Sequence, residues 1–122
     1  MKLTRVPVDF DVRCGQANGT LLKGRALNLS TGGIFIITSK PLVLGERLTV
    51  EFLLPGSLSP INIIGESVWC RSYNDEIGQI NPPHVAGIKF IDVPKRYGHL
   101  IQDYILEMLS SKSPVVPQEF SR

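Results

Sequence analysis

The sequence is poor in the residues that mark several large classes of protein. Its 122 residues include two cysteines, Cys14 and Cys70, and two histidines, and their spacing matches no zinc-binding motif. We expect both cysteines to be buried or half-buried thiols and no metal site. No apolar run approaches the roughly 20 residues that a membrane-spanning helix requires. The charged first residues precede no apolar stretch, so we expect no signal peptide, no membrane insertion and a cytoplasmic location.

Charge of one sign and catalytic motifs are also scarce. Lys and Arg number 13 against 11 Asp and Glu, for a net charge of +2, which is too small to indicate a nucleic-acid protein. Aromatic residues make up 7%, whereas an RNA-binding barrel requires an aromatic and basic platform. Ser30 lacks the Gly-x-Ser-x-Gly surroundings of a nucleophile, and no pair of carboxylates suggests acid–base chemistry. We therefore expect no enzymatic activity, no cofactor and no DNA or RNA partner.

Turn residues and alternating strands dominate what the chain does contain. Its 11 Gly and 9 Pro favour short strands joined by turns. Every second residue from Val6 to Cys14 is apolar, which predicts a strand, and Pro7 predicts that this strand starts late or lies at an edge. Five further strands are predicted at about residues 21–27, 34–37, 48–54, 61–71 and 84–91. Gly65 inside the fifth strand of the chain predicts a bulge or a barrel corner.

The apolar period changes near the C-terminus. Apolar residues recur at intervals of three and four, which predicts an amphipathic helix, at Tyr97, Leu100, Ile101, Tyr104, Ile105 and Met108. Asp92 is a candidate N-cap and Pro94 suits the first turn. Six strands and one helix predict a small all-β antiparallel barrel or sandwich, with the helix covering one end or face. We expect residues 1–110 to form a single domain, with a loop at 73–83 and a flexible tail at 111–122.

The segment from Asn28 to Gly33 reads Asn-Leu-Ser-Thr-Gly-Gly and joins two predicted strands. Its short polar side chains can bond nearby backbone or a ligand, and its paired glycines permit positive φ and close approach of a bulky group. By residue type alone it is either a plain hairpin turn or a shallow polar cradle.

These residues also resemble a known family. Asn28-x-Ser30-x-x-Gly33 matches the [Asp/Asn]-x-Ser-x-x-Gly signature of the PilZ domain, a bacterial receptor for cyclic di-GMP. Other segments that look like PilZ sequence are Gly33-Ile34-Phe35-Ile36, Leu44-Gly45-Glu46, Gly65-x-x-Val68-Trp69 and Gly87-Ile88-Lys89-Phe90. The resemblance runs from about Arg5 to Leu109. It implies a six-stranded antiparallel β-barrel, the PilZ-like split barrel, with a C-terminal helix.

The second signature of that family, Arg-x-x-x-Arg, is only half present. Arg5 lies 23 residues before Asn28 and matches the second arginine, whereas the first position is occupied by Met1. Lys2 could compensate in part, but lysine lacks the planar fork that arginine offers to a phosphate or a guanine edge. The resemblance therefore implies weaker ligand binding if no further arginine precedes Met1.

The resemblance implies a ligand site and a role for each of its residues. Arg5 wraps around cyclic di-GMP, Asn28 and Ser30 bond it from the barrel surface, and Gly33 leaves room for a purine. The implied ligand residues are Arg5, Asn28, Ser30 and Gly33, with Lys2, Gly32, Trp69 and Arg71 as further candidates. Alternatives stay open for two of these residues. Trp69 is either a stacking residue or a residue of the barrel core or of the helix packing, and Arg71 is either a phosphate contact or a solvated surface residue.

The implied function is a cyclic di-GMP receptor that regulates a partner. Ligand orders the N-terminal segment and changes the surface offered to a protein of the motility, pilus or exopolysaccharide machinery, with effects on biofilm formation. The main alternative is a PilZ-like adaptor that binds proteins and no nucleotide, which the methionine at the first motif position favours. A third hypothesis, an RNA-binding small barrel, rests on fold analogy alone, and the few aromatic residues and small net charge argue against it.

Overall fold

The computed structural model describes residues 4–72 and 84–111. Its elements are β1 (Val6–Gln16), β2 (Leu21–Leu29), β3 (Gly33–Thr38), β4 (Arg47–Phe52), β5 (Ile61–Ser72), β6 (His84–Asp92) and α1 (Lys95–Ser111). All six predicted strands and the helix are confirmed, with ends that differ by a few residues. The predicted loop at 73–83, the predicted tail beyond residue 111 and Lys2 lie outside the described residues.

The six strands close into a barrel in the order β1-β2-β3-β6-β5-β4, and every neighbouring pair is antiparallel. Closure decides between the two predicted architectures in favour of the barrel, because every strand finds a neighbour on both sides. Pro7 tolerates this arrangement because β1 pairs with β4 only over Val12–Gln16. At Pro7 the strand therefore has a ladder partner only on the β2 side. With one side of the strand unpaired at this residue, the missing backbone N–H of proline causes little loss of hydrogen bonding.

Alternating side chains on the strands fill the barrel. On β1, Val6, Phe10, Val12 and Cys14 are buried while the residues between them face outward or are half-buried. Phe10 stacks on Phe52 of β4 with ring centroids 5.4 Å apart. Gly65 lies beside a register shift on β5, and an added Cβ there would lie 2.5 Å from a side-chain carbon of Ile88. The predicted bulge at Gly65 is confirmed.

Helix α1 packs its apolar stripe against the barrel. Ile101 and Ile105 are buried in the core, and the other stripe residues predicted from the sequence pack partly against it. Asp92 is not the N-cap that the sequence suggested, because it is the last residue of β6. Pro94 occupies that place instead, since its carbonyl accepts hydrogen bonds from the N–H groups of Tyr97 and Gly98. No helix in the described residues is long and apolar enough to cross a membrane.

Candidate functional site

The turn between β2 and β3 is organised around Ser30. Its N–H donates to the carbonyl of Gly33 at 2.9 Å, and its hydroxyl oxygen accepts from the N–H groups of Gly32 and Gly33, both at 3.2 Å. The side chain is only 1% exposed. The hydroxyl oxygen of Ser30 thus bonds the backbone of its own turn, and the residue also lines the cavity described below. Its part in ligand binding stays a prediction.

Gly33 is required by the backbone packing. A Cβ at this position would lie 2.4 Å from the carbonyl oxygen of Ile88 on β6, a distance that real Cβ contacts do not show. Neither Gly32 nor Gly33 has a positive φ. The permissive dihedrals expected of this pair are therefore not used. The absent side chain at Gly33 makes room for the backbone of β6, and its expected role beside a purine stays a prediction.

Four residues in register form a lateral row across the sheet: Asn28 on β2, Phe35 on β3, Gly87 on β6 and Trp69 on β5. Phe35 and Trp69 are two strands apart, which corresponds to about 10 Å between backbones. Their rings nevertheless stack with centroids 5.4 Å apart and an interplanar angle of 18°. Gly87 allows this because it places no side chain between them, and an added Cβ would lie 3.2 Å from the Phe35 ring.

Trp69 is accessible rather than part of the barrel core. The residue is 37% exposed, because the register shift between Ser67 and Trp69 turns this part of β5 out of the barrel interior. The alternative that placed Trp69 in the core is wrong. The ring and its neighbour Phe35 present an aromatic surface to solvent, of the kind on which nucleobases stack.

Two guanidinium groups lie against this aromatic pair. The Cζ atom of Arg5 is 4.4 Å from the centroid of Phe35, and its Nη1 donates to Oδ1 of Asn28 at 3.2 Å. The Cζ atom of Arg71 lies 5.8 Å from the Trp69 ring, as expected for two residues on one face of a strand. Cation–π contacts at exposed positions contribute about 0.5–1 kcal/mol each, so a ligand can displace them.

These groups surround a cavity of about 710 Å³, lined by Arg5, Ser30, Gly32, Gly33, Phe35, Val68, Trp69, Gly87, Ile88, Lys89 and Phe90. This volume falls within the range of small-molecule sites, about 300–1,000 Å³. Arg5 and Lys89 are the charged members of the lining, and no described carboxylate belongs to it. A mostly apolar floor with cations at its edge suits a flat anionic ligand.

The structure brings together most of the residues predicted for the site. Arg5, Ser30, Gly32, Gly33 and Trp69 line the cavity. Asn28 joins them through its bond to Arg5, and Arg71 joins through Trp69. Lys2 lies outside the described residues. Within 4–72 and 84–111, no group of three or more His, Cys, Asp or Glu residues could hold a metal ion.

Sequence reasoning missed Phe35, Gly87 and Lys89 as members of the site. All three lie in segments that resemble the family, but their convergence depends on the β3–β6 register, which pairs Phe35 with Gly87 and Gly33 with Lys89. The usable signal was a glycine on one strand and an aromatic residue on another. That signal predicts a site only when the two residues are known to lie opposite each other on neighbouring strands.

In the comparison with protein families, the model described as PilZ domain matches residues 2–107. No curated protein sequence matches the chain. Among solved structures, the PilZ domain of YcgR from Escherichia coli with c-di-GMP is 18% identical, covers 93% of each chain and has a TM-score of 0.70.

Two longer proteins contain a similar fold. The Bacillus subtilis inhibitor of motility, MotI/DgrA, is 19% identical over 93% of this chain and 53% of its own, with a TM-score of 0.70. The MrkH–c-di-GMP complex of K. pneumonia is 14% identical over 92% of this chain and 53% of its own, with a TM-score of 0.69. This chain thus spans about half the length of these two relatives, and at such identities the likeness concerns the fold.

Proposed function

The chain belongs to the PilZ domain family, and on that premise we propose that it is a cyclic di-GMP receptor that binds the dinucleotide in the cavity beside Ser30. The observation that carries the proposal is the meeting of both signature segments in one cavity. Arg5 comes from the first signature, and Ser30 and Gly33 come from the second. Two of the similar structures, the YcgR PilZ domain and MrkH, were solved with c-di-GMP.

The proposed mode of binding divides recognition between charge and stacking. Arg5 offers a planar fork that suits a phosphate or the O6/N7 edge of a guanine. The aromatic pair Phe35 and Trp69 offers a surface for a purine, and stacking of one base on an aromatic side chain contributes about 1–3 kcal/mol. Ser30 acts indirectly by holding the β2–β3 turn in shape. The protein binds its ligand and performs no reaction on it.

The proposed output is a change in the surface beside β1. Arg5 contacts Phe35 and Asn28, just before β1 begins at Val6. A dinucleotide that binds the Arg5 guanidinium breaks these contacts and thereby reorients the N-terminal segment. We propose that residues 1–110 act as one receptor domain, with residues 111–122 as a tail. The altered surface regulates a protein of the motility, pilus or exopolysaccharide machinery.

Calorimetric titration with cyclic di-GMP tests the proposal. Wild-type protein should release or absorb heat with saturable binding, and Arg5→Ala should weaken binding at least about tenfold, since hydrogen bonds to charged groups contribute about 1.5–3 kcal/mol. Arg13→Ala is the matched control, because Arg13 is an exposed arginine of β1 that does not line the cavity. Absence of both heat and thermal stabilisation at high micromolar ligand would contradict the proposal.

The second candidate function is a protein-binding adaptor without nucleotide. Met1 at the first position of Arg-x-x-x-Arg favours it, because one arginine offers fewer bidentate contacts than two. The same titration separates the two candidates. An adaptor gives no heat with cyclic di-GMP, and its affinity for a protein partner does not change when the dinucleotide is added.

A further inference from the structure

Lys89 is a charged residue of the cavity to which neither signature assigns a role. It lies on β6, where it pairs with Gly33 of β3 on one side and with Glu66 of β5 on the other. Its side chain is exposed and lines the same cavity as Arg5. Lys89 is two residues from Gly87, the glycine that lies between Phe35 and Trp69. Positions 87 and 89 therefore face the same side of the sheet, about 7 Å apart.

Lys89 and Arg5 enter the cavity from opposite sides of the Ser30 turn. Val6 of β1 pairs with Leu29 of β2, which places Arg5 beside Ser30. Lys89 lies beyond Gly33 at the other end of that turn. With the strand order β1-β2-β3-β6, their backbones are about 14 Å apart by strand spacing. Two long cationic side chains thus flank the floor of the cavity.

We propose that Lys89 supplies the second positive charge for the dianionic ligand, an inference that rests on the proposed function. A cyclic dinucleotide carries two phosphodiester charges, and Arg5 is the one cation that the signatures bring to the described cavity. Lysine is a compact charge on a flexible stem and binds phosphate as a point charge. Lys89 therefore provides the charge that the arginine signature lacks at Met1.

The side chain of Lys89 is available for this role. Within the described parts of the chain Lys89 forms no hydrogen bond and no ion pair, unlike Arg25, which pairs with Asp9 and Asp11. Glu66 is its direct cross-strand neighbour, although the two side chains form no ion pair. Cross-strand opposite charges that do interact contribute only about 0.2–1 kcal/mol, so Glu66 is a weak competitor for a phosphate that forms charge-assisted hydrogen bonds with Lys89.

Titration of cyclic di-GMP into charge variants tests the inference. Lys89→Met keeps the apolar stem and removes the charge, and we expect binding about tenfold weaker than wild type. Lys89→Arg should stay within a few-fold of wild type. Lys23→Met is the matched control, because Lys23 is an exposed lysine of β2 that does not line this cavity. This variant should bind cyclic di-GMP with the affinity of the wild type.

Salt dependence separates a charge contact from a packing effect. Wild-type affinity should fall more steeply with added KCl than that of Lys89→Met, because one fewer charge is screened in the variant. Glu66→Gln should tighten binding up to about threefold in the wild-type background, by removing the competing cross-strand charge, and should have no effect in Lys89→Met. Such non-additivity is the sign of a direct interaction between the two residues.

The outcomes distinguish this inference from the proposed function. If wild type binds and Lys89→Met binds within twofold with the same salt dependence, the role of Lys89 is wrong and the receptor proposal stands. If wild type does not bind cyclic di-GMP, both fall together. Thermal unfolding of each variant checks the fold, and an exposed lysine should alter stability by no more than about 0.5 kcal/mol.

Discussion

Gly33 and Gly87 lie one strand apart, yet their missing side chains serve different purposes. At Gly33 an added Cβ would meet the carbonyl oxygen of Ile88 at 2.4 Å, and backbone cannot move away without disturbing the β3–β6 ladder. At Gly87 an added Cβ would meet the Phe35 ring at 3.2 Å, and a side chain can adjust. Both glycines line the cavity, but Gly33 is required by the backbone packing of the barrel, whereas Gly87 makes room for the aromatic pair.

Alanine at each position should reveal this difference. Gly33→Ala should lower the free energy of unfolding by about 1–3 kcal/mol, as expected for overpacking against backbone, which denaturant titration measures. Gly87→Ala should change that free energy by less than about 1 kcal/mol, because the ring can shift. Its effect should instead appear in the emission of Trp69, the only tryptophan of the chain. Equal losses of stability in both variants would contradict this assignment.

The two cysteines differ in environment, contrary to the expectation that both are buried or half-buried. Cys14 is 0% exposed, and burial together with the nearby charge of Glu46 raises the pKa of its thiol to about 11. Cys70 is exposed, because β5 extends beyond the register shift that precedes Trp69. The thiolate is the reactive form of cysteine. Cys14 is therefore protected from thiol reagents in two ways, because its side chain is inaccessible and because its thiol stays protonated.

A thiol reagent at pH 8 should therefore modify one cysteine in the native protein and both after denaturation. Cys70→Ser should remove the fast reaction and leave Cys14 unreactive until the protein unfolds. The measurement is the number of reactive thiols against time. Fast modification of Cys14 in native Cys70→Ser protein would show that the barrel opens far more readily than its packing suggests.

At the scale of elements, α1 is attached to the barrel by a narrow apolar stripe. Ile101 is 0% exposed and lies in the core, whereas Leu106 is 54% exposed on the opposite face. Ile101→Ala should lower the free energy of unfolding by about 2–5 kcal/mol, and Leu106→Ala by no more than about 0.5 kcal/mol. Denaturant titration measures both. A small loss for Ile101→Ala would mean that the barrel is stable without the helix.

The turn between β3 and β4 is a second element that supports the site. The carboxylate of Glu46 accepts hydrogen bonds from the backbone N–H of Val43 at 3.1 Å and from the side chain of Gln16 at 2.7 Å. The N–H of Ser67 donates to the carbonyl of Glu46 at 2.9 Å, and the hydroxyl of Ser67 bonds the carbonyl of Val43. These bonds fix the position of β5 at Ser67, two residues before Trp69. They therefore help to position the Trp69 ring beside Phe35.

At the scale of the whole molecule, the cavity joins segments that are distant in the sequence. Its lining comes from Arg5 before β1, from the β2–β3 turn, and from β3, β5 and β6. A ligand that contacts all of these parts binds the native state and not the unfolded chain. Binding therefore adds to the stability of the complete barrel rather than to one hairpin.

Cyclic di-GMP should consequently raise the Tm of the protein in a concentration-dependent way. At about 100 times Kd the added stability is about 2.7 kcal/mol, which corresponds to a shift of several degrees for a domain of this size. Arg5→Ala should show a smaller shift at the same ligand concentration. A Tm that does not respond to ligand, while calorimetry reports binding, would indicate that the dinucleotide binds the unfolded chain equally well.

Local pattern was enough to determine the strands, the helix and the signature turn. The alternation from Val6 to Cys14 and the apolar stripe of α1 depend on side-chain periods of about 2.0 and 3.6 residues, which neighbours along the chain set by themselves. Arg5, Asn28 and Ser30 were identified because they fall within short motifs. The ordered set of these segments carried the resemblance to the family, and that resemblance in turn implied the barrel.

Only the tertiary structure decided how the site is built. Stacking of Phe35 on Trp69 over Gly87, the burial of the Ser30 hydroxyl and the presence of Lys89 in the cavity all depend on which residues of β2, β3, β5 and β6 lie opposite one another. Register is a relation between distant segments, and a shift of one residue exchanges the two faces of a strand. The sequence by itself therefore determined the elements and the family, while the pairing of strands determined which side chains share the cavity.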